Sequence, residues 1–251
     1  MTSRETTGLL PRTHDAASEP AWIRSSADWA WLLGVGAVQW PWLLRSLRGG
    51  SRAAKAALLA RLGLPDDALP NLGSWKADTG LLTLLADQVE ARRPAQVVEF
   101  GAGASTLILA RALQLWGGGQ LTSFDQHPDF VRLTRDWLAG HGLPADLRPA
   151  PLAPSPDGWP GLWYEAPHLP ERIDLLVIDG PPWTLHPLTR GGAATLFDRI
   201  APGGAVVLDD AARPGERLVA RRWRRDWPNW DWRLLRTGTK GTLVGRRPGS
   251  P

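Results

Sequence analysis

Four short strand-like runs in this chain each end in an acid and pass straight into residues that turn. The segment 97–106 reads VVEFGAGAST and carries Glu99. The run 120–124 ends at Asp125, 173–178 ends at Asp179, and 205–208 ends at Asp209 with Asp210 beside it. A carboxylate so placed can accept hydrogen bonds from ligand hydroxyls, take a proton from a nucleophile, or hold a cation. Acids recurring at run ends therefore suggest one site that handles both hydroxyls and protons.

Apart from 120–124, which carries Gln120, Thr122 and Ser123, the runs that position these acids are mostly Val, Ile, Leu, Ala and Phe, the pattern of strands buried on both faces of a parallel sheet. After the first run, Gly101 and Gly103 remove the Cβ atoms that would keep a ligand from the backbone. Leu107, Leu109, Ala110 and Leu113 then space as one face of a helix, whose N-terminus opens toward the glycine loop. In an open α/β sheet, ligands sit beyond the carboxyl ends of the strands, so Glu99, Asp125, Asp179 and Asp209 are predicted to share one rim. The spacing argues against a dinucleotide loop, since G-x-G-x-x-G requires a third glycine at the position of Thr106. Glu99 would also repel a pyrophosphate and would suit a cationic ligand such as an amino acid's ammonium.

The sequence E-F-G-A-G-A-S-T resembles motif I of the class I S-adenosylmethionine-dependent methyltransferases, with Ser105 where many members carry a third glycine. The resemblance spans about 71–244 and rests on ordered motifs. It implies a Rossmann-like seven-stranded α/β sheet with helices on both faces, closed by an antiparallel hairpin at 232–235 and 242–244. It further implies S-adenosylmethionine as cofactor, bound by Glu99, Gly101, Gly103, Ser105 and Asp125, with Asp125 on the ribose hydroxyls. Pro128 leaves a second reading of Asp125 open, as a helix N-cap, and the two are compatible.

In the metal-dependent O-methyltransferases of this superfamily, an Asp after strand four and a pair after strand five hold a divalent cation. Asp179, Asp209 and Asp210 match that layout, which implies Mg2+ as a second cofactor. The alternative has Asp209 or Asp210 capping the next turn while Asp179 alone acts as general base. The third acid is Asp rather than the Asn of the catechol-type enzymes, and Gly180-Pro181-Pro182 replaces a segment that often carries a basic residue. His186 stands in the same loop and is a candidate base, with a structural role as its alternative. His127 belongs to the start of the helix after Asp125. Trp163 and the single tyrosine, Tyr164, wall a pocket or pack the core.

The absence of cysteine excludes disulfides, thiolate metal sites and cysteine nucleophiles. The basic residues are arginines except for Lys55, Lys76 and Lys240, and abundant Ala, Gly, Pro and Trp give the same impression of compositional bias. The positive charge is therefore no sign of a nucleic-acid partner. Arg217, Arg221, Arg222, Arg224 and Arg225 are expected on a helix whose apolar side is Leu218, Val219 and Trp223, as a solvated face or as an anion-binding one.

Residues 1–20 read as a disordered tail, 21–70 as a tryptophan-rich helical extension, and 71–251 as the catalytic domain. Within the extension, 29–44 reads WAWLLGVGAVQWPWLL, followed by Arg45, Arg48, Arg52 and Lys55. Sixteen residues at 1.5 Å each reach roughly 24 Å, short of the ~30 Å hydrocarbon core. The expectation is a helix at a membrane interface or a lid over the acceptor pocket, in a cytoplasmic protein that touches the inner membrane face. Helices are expected at 53–64 and at 79–91, the second capped by Asp78. The activity implied is methyl transfer to an oxygen of a small molecule or glycan. A nucleotide-dependent oxidoreductase and a non-catalytic, membrane-tethered scaffold are the competing readings.

Overall fold

The computed structural model describes residues 25–143 and 145–249; the tail expected over 1–20 lies outside the described residues. In chain order the strands are β1 (Gln96–Phe100), β2 (Gln120–Asp125), β3 (Asp146–Pro149), β4 (Leu152–Pro154), β5 (Leu162–Tyr164), β6 (Ile173–Ile178), β7 (Ile200–Leu208), β8 (Asp231–Leu235) and β9 (Thr242–Arg246). Seven form one sheet in the order β3-β2-β1-β6-β7-β9-β8. The first five are parallel, and β9 runs antiparallel between β7 and β8. The order reverses between β1 and β6, so the crevice at their carboxyl ends is where a ligand is accommodated. Strands β4 and β5 pair as a separate ribbon.

The helices are α1 (Ser26–Ser46), α2 (Arg52–Leu62), α3 (Thr79–Arg92), α4 (Ala104–Ala112), α5 (Pro128–Gly140) and α6 (Pro214–Asp226). A 3-10 segment, Thr189–Arg199, leads into β7. Alternation along the strands divides the apolar core in two. Val97, Leu175, Val177 and Val207 pack with the leucines of α2 and α3 and with α4. Val98, Leu176, Ile178 and Val206 face the other way, toward Phe197, Trp223 and the β4–β5 ribbon. Asp78 caps α3 as the sequence predicts, its Oδ1 accepting from the Leu81 amide at 2.9 Å.

Three features differ from the sequence reading. The run read from 205 begins earlier, since residues 200–204 also lie within β7 and bulge it, the register jumping from Ile173↔Ile200 to Leu175↔Ala205. The short strands β3, β4 and β5 were not anticipated. Leu218 is exposed on α6, whose buried face is instead Val219, Ala220 and Trp223.

Helix α1 starts with a reciprocal cap, Ser25 N donating to Asp28 Oδ2 at 2.8 Å and Asp28 N to Ser25 Oγ at 3.2 Å. It continues through Pro41 to Ser46. Its buried positions are Val35, Gln39 and Ser46, whereas Trp29, Trp31, Leu33, Val38, Trp40 and Leu44 are exposed. No helix among the described residues is long and apolar enough to cross a membrane.

Candidate active site

The loop from β1 to α4 passes under the β6 loop at close range. Gly101 has φ +95°, and a Cβ there would lie 2.6 Å from Gly180 N, so both conformation and space call for glycine. Thr106 fastens this loop from α4: its hydroxyl accepts from Gly103 N at 2.8 Å and donates to Glu99 Oε2 at 2.6 Å. The Ser123 hydroxyl donates to the same oxygen at 2.5 Å. Glu99 is fully buried behind the loop and forms no part of the cavity wall. Its other oxygen, Oε1, is buried with no hydrogen-bond partner among the described residues. Its side chain leaves β1 toward α4, where hydroxyls replace water.

Asp125, at the end of β2, does reach the cavity. Its Oδ1 accepts from the His127 amide at 2.9 Å. It is not the cap of α5, since the N-cap position is His127 with Pro128 following. The cavity measures about 550 Å³, within the range of small-molecule sites. One wall is formed by 101–105, by Asp125 to His127 and by Phe130, Leu133 and Trp137 of α5. Facing it are Tyr164, Asp179, Trp183 and, from outside the sheet, Leu43, Leu47 and Trp75. Tyr164 donates to Gln126 Oε1 at 2.9 Å, while Trp163 turns into the core against Phe100.

At the ends of β6 and β7, Asp179, Asp209 and Asp210 converge, with one oxygen from each inside 4.8 Å of the others. Asp179 and Asp210 line the cavity and Asp209 lies behind them. Three cations enter the same cluster. Arg190 Nη1 lies 3.1 Å from Asp210 Oδ2, and its Nη2 donates to the Asp179 carbonyl and sits 3.6 Å from Asp179 Oδ1. Arg213 Nη1 is 2.9 Å from Asp210 Oδ2, and Lys240 Nζ is 3.6 Å from Asp209 Oδ2 and 3.5 Å from Asp210 Oδ1. Neither Asp209 nor Asp210 caps α6, whose N-cap position is Arg213.

Residues 98–211 match the family described as a methyltransferase domain. The Streptomyces achromogenes O-methyltransferase TomG of tomaymycin synthesis, solved with S-adenosylmethionine, superposes with TM-score 0.52 at 16% identity over 79% of this chain and 89% of its own. A Bacillus cereus O-methyltransferase solved with S-adenosylhomocysteine gives TM-score 0.53 at 16% identity over 79% of this chain and 92% of its own. The Podospora anserina methyltransferase PaMTH1, also bound to S-adenosylhomocysteine, gives 0.54 at 14% identity over 92% of this chain and all of its own. No curated protein matches the sequence.

The chain shares the methyltransferase fold of these proteins.

Within this fold, the two halves of the rim treat their acids differently. Burial pushes Glu99 and Asp125 up to about 7, against hydrogen bonds from Ser105, Ser123 and Thr106 to the first and from the His127 and Ala102 amides to the second. Burial also raises Asp179, although Arg190 and Lys240 draw it back. Asp209 is raised well above the carboxylate range by burial and then by Asp210. Burial opposes ionisation of Asp210 as well, but Lys240, Arg213 and Arg190 outweigh it and hold that carboxyl below its usual value.

His186 is buried away from the cavity. Its Nδ1 accepts from Leu188 N at 3.1 Å, its Nε2 lies 3.8 Å from Asp28 Oδ1, and its ring meets Trp31, so it joins the β6 loop to α1. Arg190 and Lys240 were not anticipated as site residues. The one available signal was the scarcity of lysine: of three lysines, Lys76 lines the cavity and Lys240 underlies it.

Proposed function

We propose that this methyltransferase moves a methyl group from S-adenosylmethionine to an oxygen of a small-molecule or glycan acceptor. The observation that carries the reading is that Asp125 and the glycine loop open on the same cavity as Asp179. The donor set fits the cofactor: Asp125 offers a buried carboxylate to two vicinal hydroxyls, and 101–105 offers backbone at a helix N-terminus. Bound there, the cofactor supplies a methyl group on a sulfonium for in-line displacement. Phe130, Leu133 and Trp137 would offer its adenine an apolar wall.

Asp179 accepts the acceptor's hydroxyl proton. Burial holds its carboxyl above the ordinary range, which suits a base that must take a proton near neutral pH. Arg190 fixes the Asp179 carbonyl and carboxylate together, so the base is oriented before an acceptor arrives. An oxygen nucleophile is favoured because TomG and the Bacillus cereus protein are O-methyltransferases. The test is transfer of labelled methyl to a panel of hydroxyl-bearing acceptors. Label should enter an alkali-stable ether with wild type and fall at least about a hundredfold with Asp179→Asn. Unchanged transfer by the variant would remove Asp179 from this role.

The same protein is proposed to meet an anionic bilayer through α1. The one polar side chain within 29–44, Gln39, is turned inward, and the outward face from Trp29 to Leu44 is apolar up to Arg45. Tryptophans beside arginines suit the headgroup region. Full-length protein should float with phosphatidylglycerol-containing vesicles, and Leu33→Glu with Trp40→Glu should stay behind. Equal sedimentation of both proteins would refute the contact.

A further inference from the structure

The three acids beyond β6 and β7 have the spacing of a divalent site, but the charge around them is already supplied by the chain. Mg2+ holds carboxylate oxygens at about 2.0–2.1 Å in an octahedral shell that retains water. An ion shared by Asp179, Asp209 and Asp210 would lie within a few ångströms of the Lys240 ammonium, in a pocket where Lys240, Asp209 and Asp210 are all nearly inaccessible to water. Two like charges so close, away from water, exclude each other.

Lys240 is also built into place. The Asp78 carboxylate that caps α3 accepts from Thr239 N at 2.5 Å, from the Thr239 hydroxyl at 3.0 Å and from Lys240 N at 3.2 Å. Gly238, at φ +79°, permits this approach, since a Cβ there would lie 2.5 Å from Asp78 Oδ2. On the other side, Ala211 N donates to Gly241 O at 2.9 Å and Ala212 N to Lys240 O at 3.1 Å, tying the hairpin to the acid loop. The Lys240 ammonium donates to Lys76 O at 2.7 Å and turns its remaining protons toward Asp209 and Asp210.

We infer that Lys240 takes in this chain the place of the divalent cation, leaving the methyltransferase without a metal site of its own. The inference concerns the acceptor half of the proposed site, and its test needs no acceptor and no turnover. Lys240 is a positioning residue: it holds Asp210 at the cavity wall beside Asp179 and Asp209 behind them.

The experiment is titration of Mn2+ followed by electron paramagnetic resonance, with each protein's fold checked by circular dichroism and S-adenosylhomocysteine binding. Wild type should leave the free Mn2+ signal unchanged through the millimolar range. Lys240→Met, which keeps the length and removes the charge, should bind one Mn2+ on the order of a hundredfold more tightly or better. Adding Asp209→Asn to that variant should abolish the gain. One tight Mn2+ on the wild type, lost in Asp209→Asn, would overturn the inference, as would a folded Lys240→Met that binds none. Should Lys240→Met not fold, Lys240→Gln carries the same arm, and tight binding by the wild type remains decisive against the proposal.

Discussion

The rim at the ends of β1 and β2 and the rim at the ends of β6 and β7 both carry buried or half-buried acids, but of opposite electrostatic design. Glu99 and Asp125 are held by hydroxyls and amides, with no ion pair among the described residues. Asp179, Asp209 and Asp210 are held by Arg190, Arg213 and Lys240, and Glu216 lies behind them 4.0 Å from Arg190. An acid solvated only by neutral donors is poised near its titration point, and ligand hydroxyls can complete its shell. An acid among fixed cations keeps its geometry whether or not a ligand is present. The first arrangement suits a cofactor that comes and goes, and the second suits a base that must be oriented beforehand.

The contrast breaks most severely at Arg190. Arg190→Met leaves Asp179, Asp210 and Glu216 without their shared cation, a loss of about 3–5 kcal/mol as for other broken buried pairs. Urea unfolding should show a correspondingly lower midpoint, while Asp125→Ala, which strands no charge, should unfold close to wild type. Similar midpoints for both variants would erase the distinction.

A smaller effect sharpens it by pH. Glu99 and Asp125 stand at about 7 in the folded protein. Unfolded carboxyls titrate near 4, so between about 4 and 7 the native state holds protons that the unfolded chain has released. Stability from these two groups is full below about 4 and is lost as pH rises from there through 7. The ligand-free protein should therefore melt at a higher temperature at pH 5.5 than at pH 8. S-adenosylhomocysteine should narrow the difference, because it bonds to the ionised form of Asp125. A melting temperature that rises from pH 5.5 to 8 without ligand would contradict this account.

Much of this site is legible in the sequence where a strand is long and ends in an acid. β1, β2 and β6 are such strands, and the order of their motifs places Asp125 and Asp179 on one cavity. β3, β4 and β5 are only three or four residues long, and β3 and β4 end at Pro149 and Pro154, so no period of two can develop in them. Spacing also does not say on which side of the loop a side chain emerges. Glu99 has the right place in the motif and emerges behind it, and His186 has the right loop but turns to α1. Arg190 and Lys240 arrive from a 3-10 segment and a hairpin far along the chain, and their contribution exists only once tertiary contacts form.

The division of labour between the two rims is tested most directly by calorimetric titration of S-adenosylhomocysteine into wild type, Asp125→Ala and Asp179→Asn. Wild type should bind in the micromolar range, and Asp125→Ala should lose about 1.5–3 kcal/mol for each charge-assisted hydrogen bond removed. Asp179→Asn should bind within a few-fold of wild type. Equal loss in the two variants, or no binding by the wild type, would contradict the account.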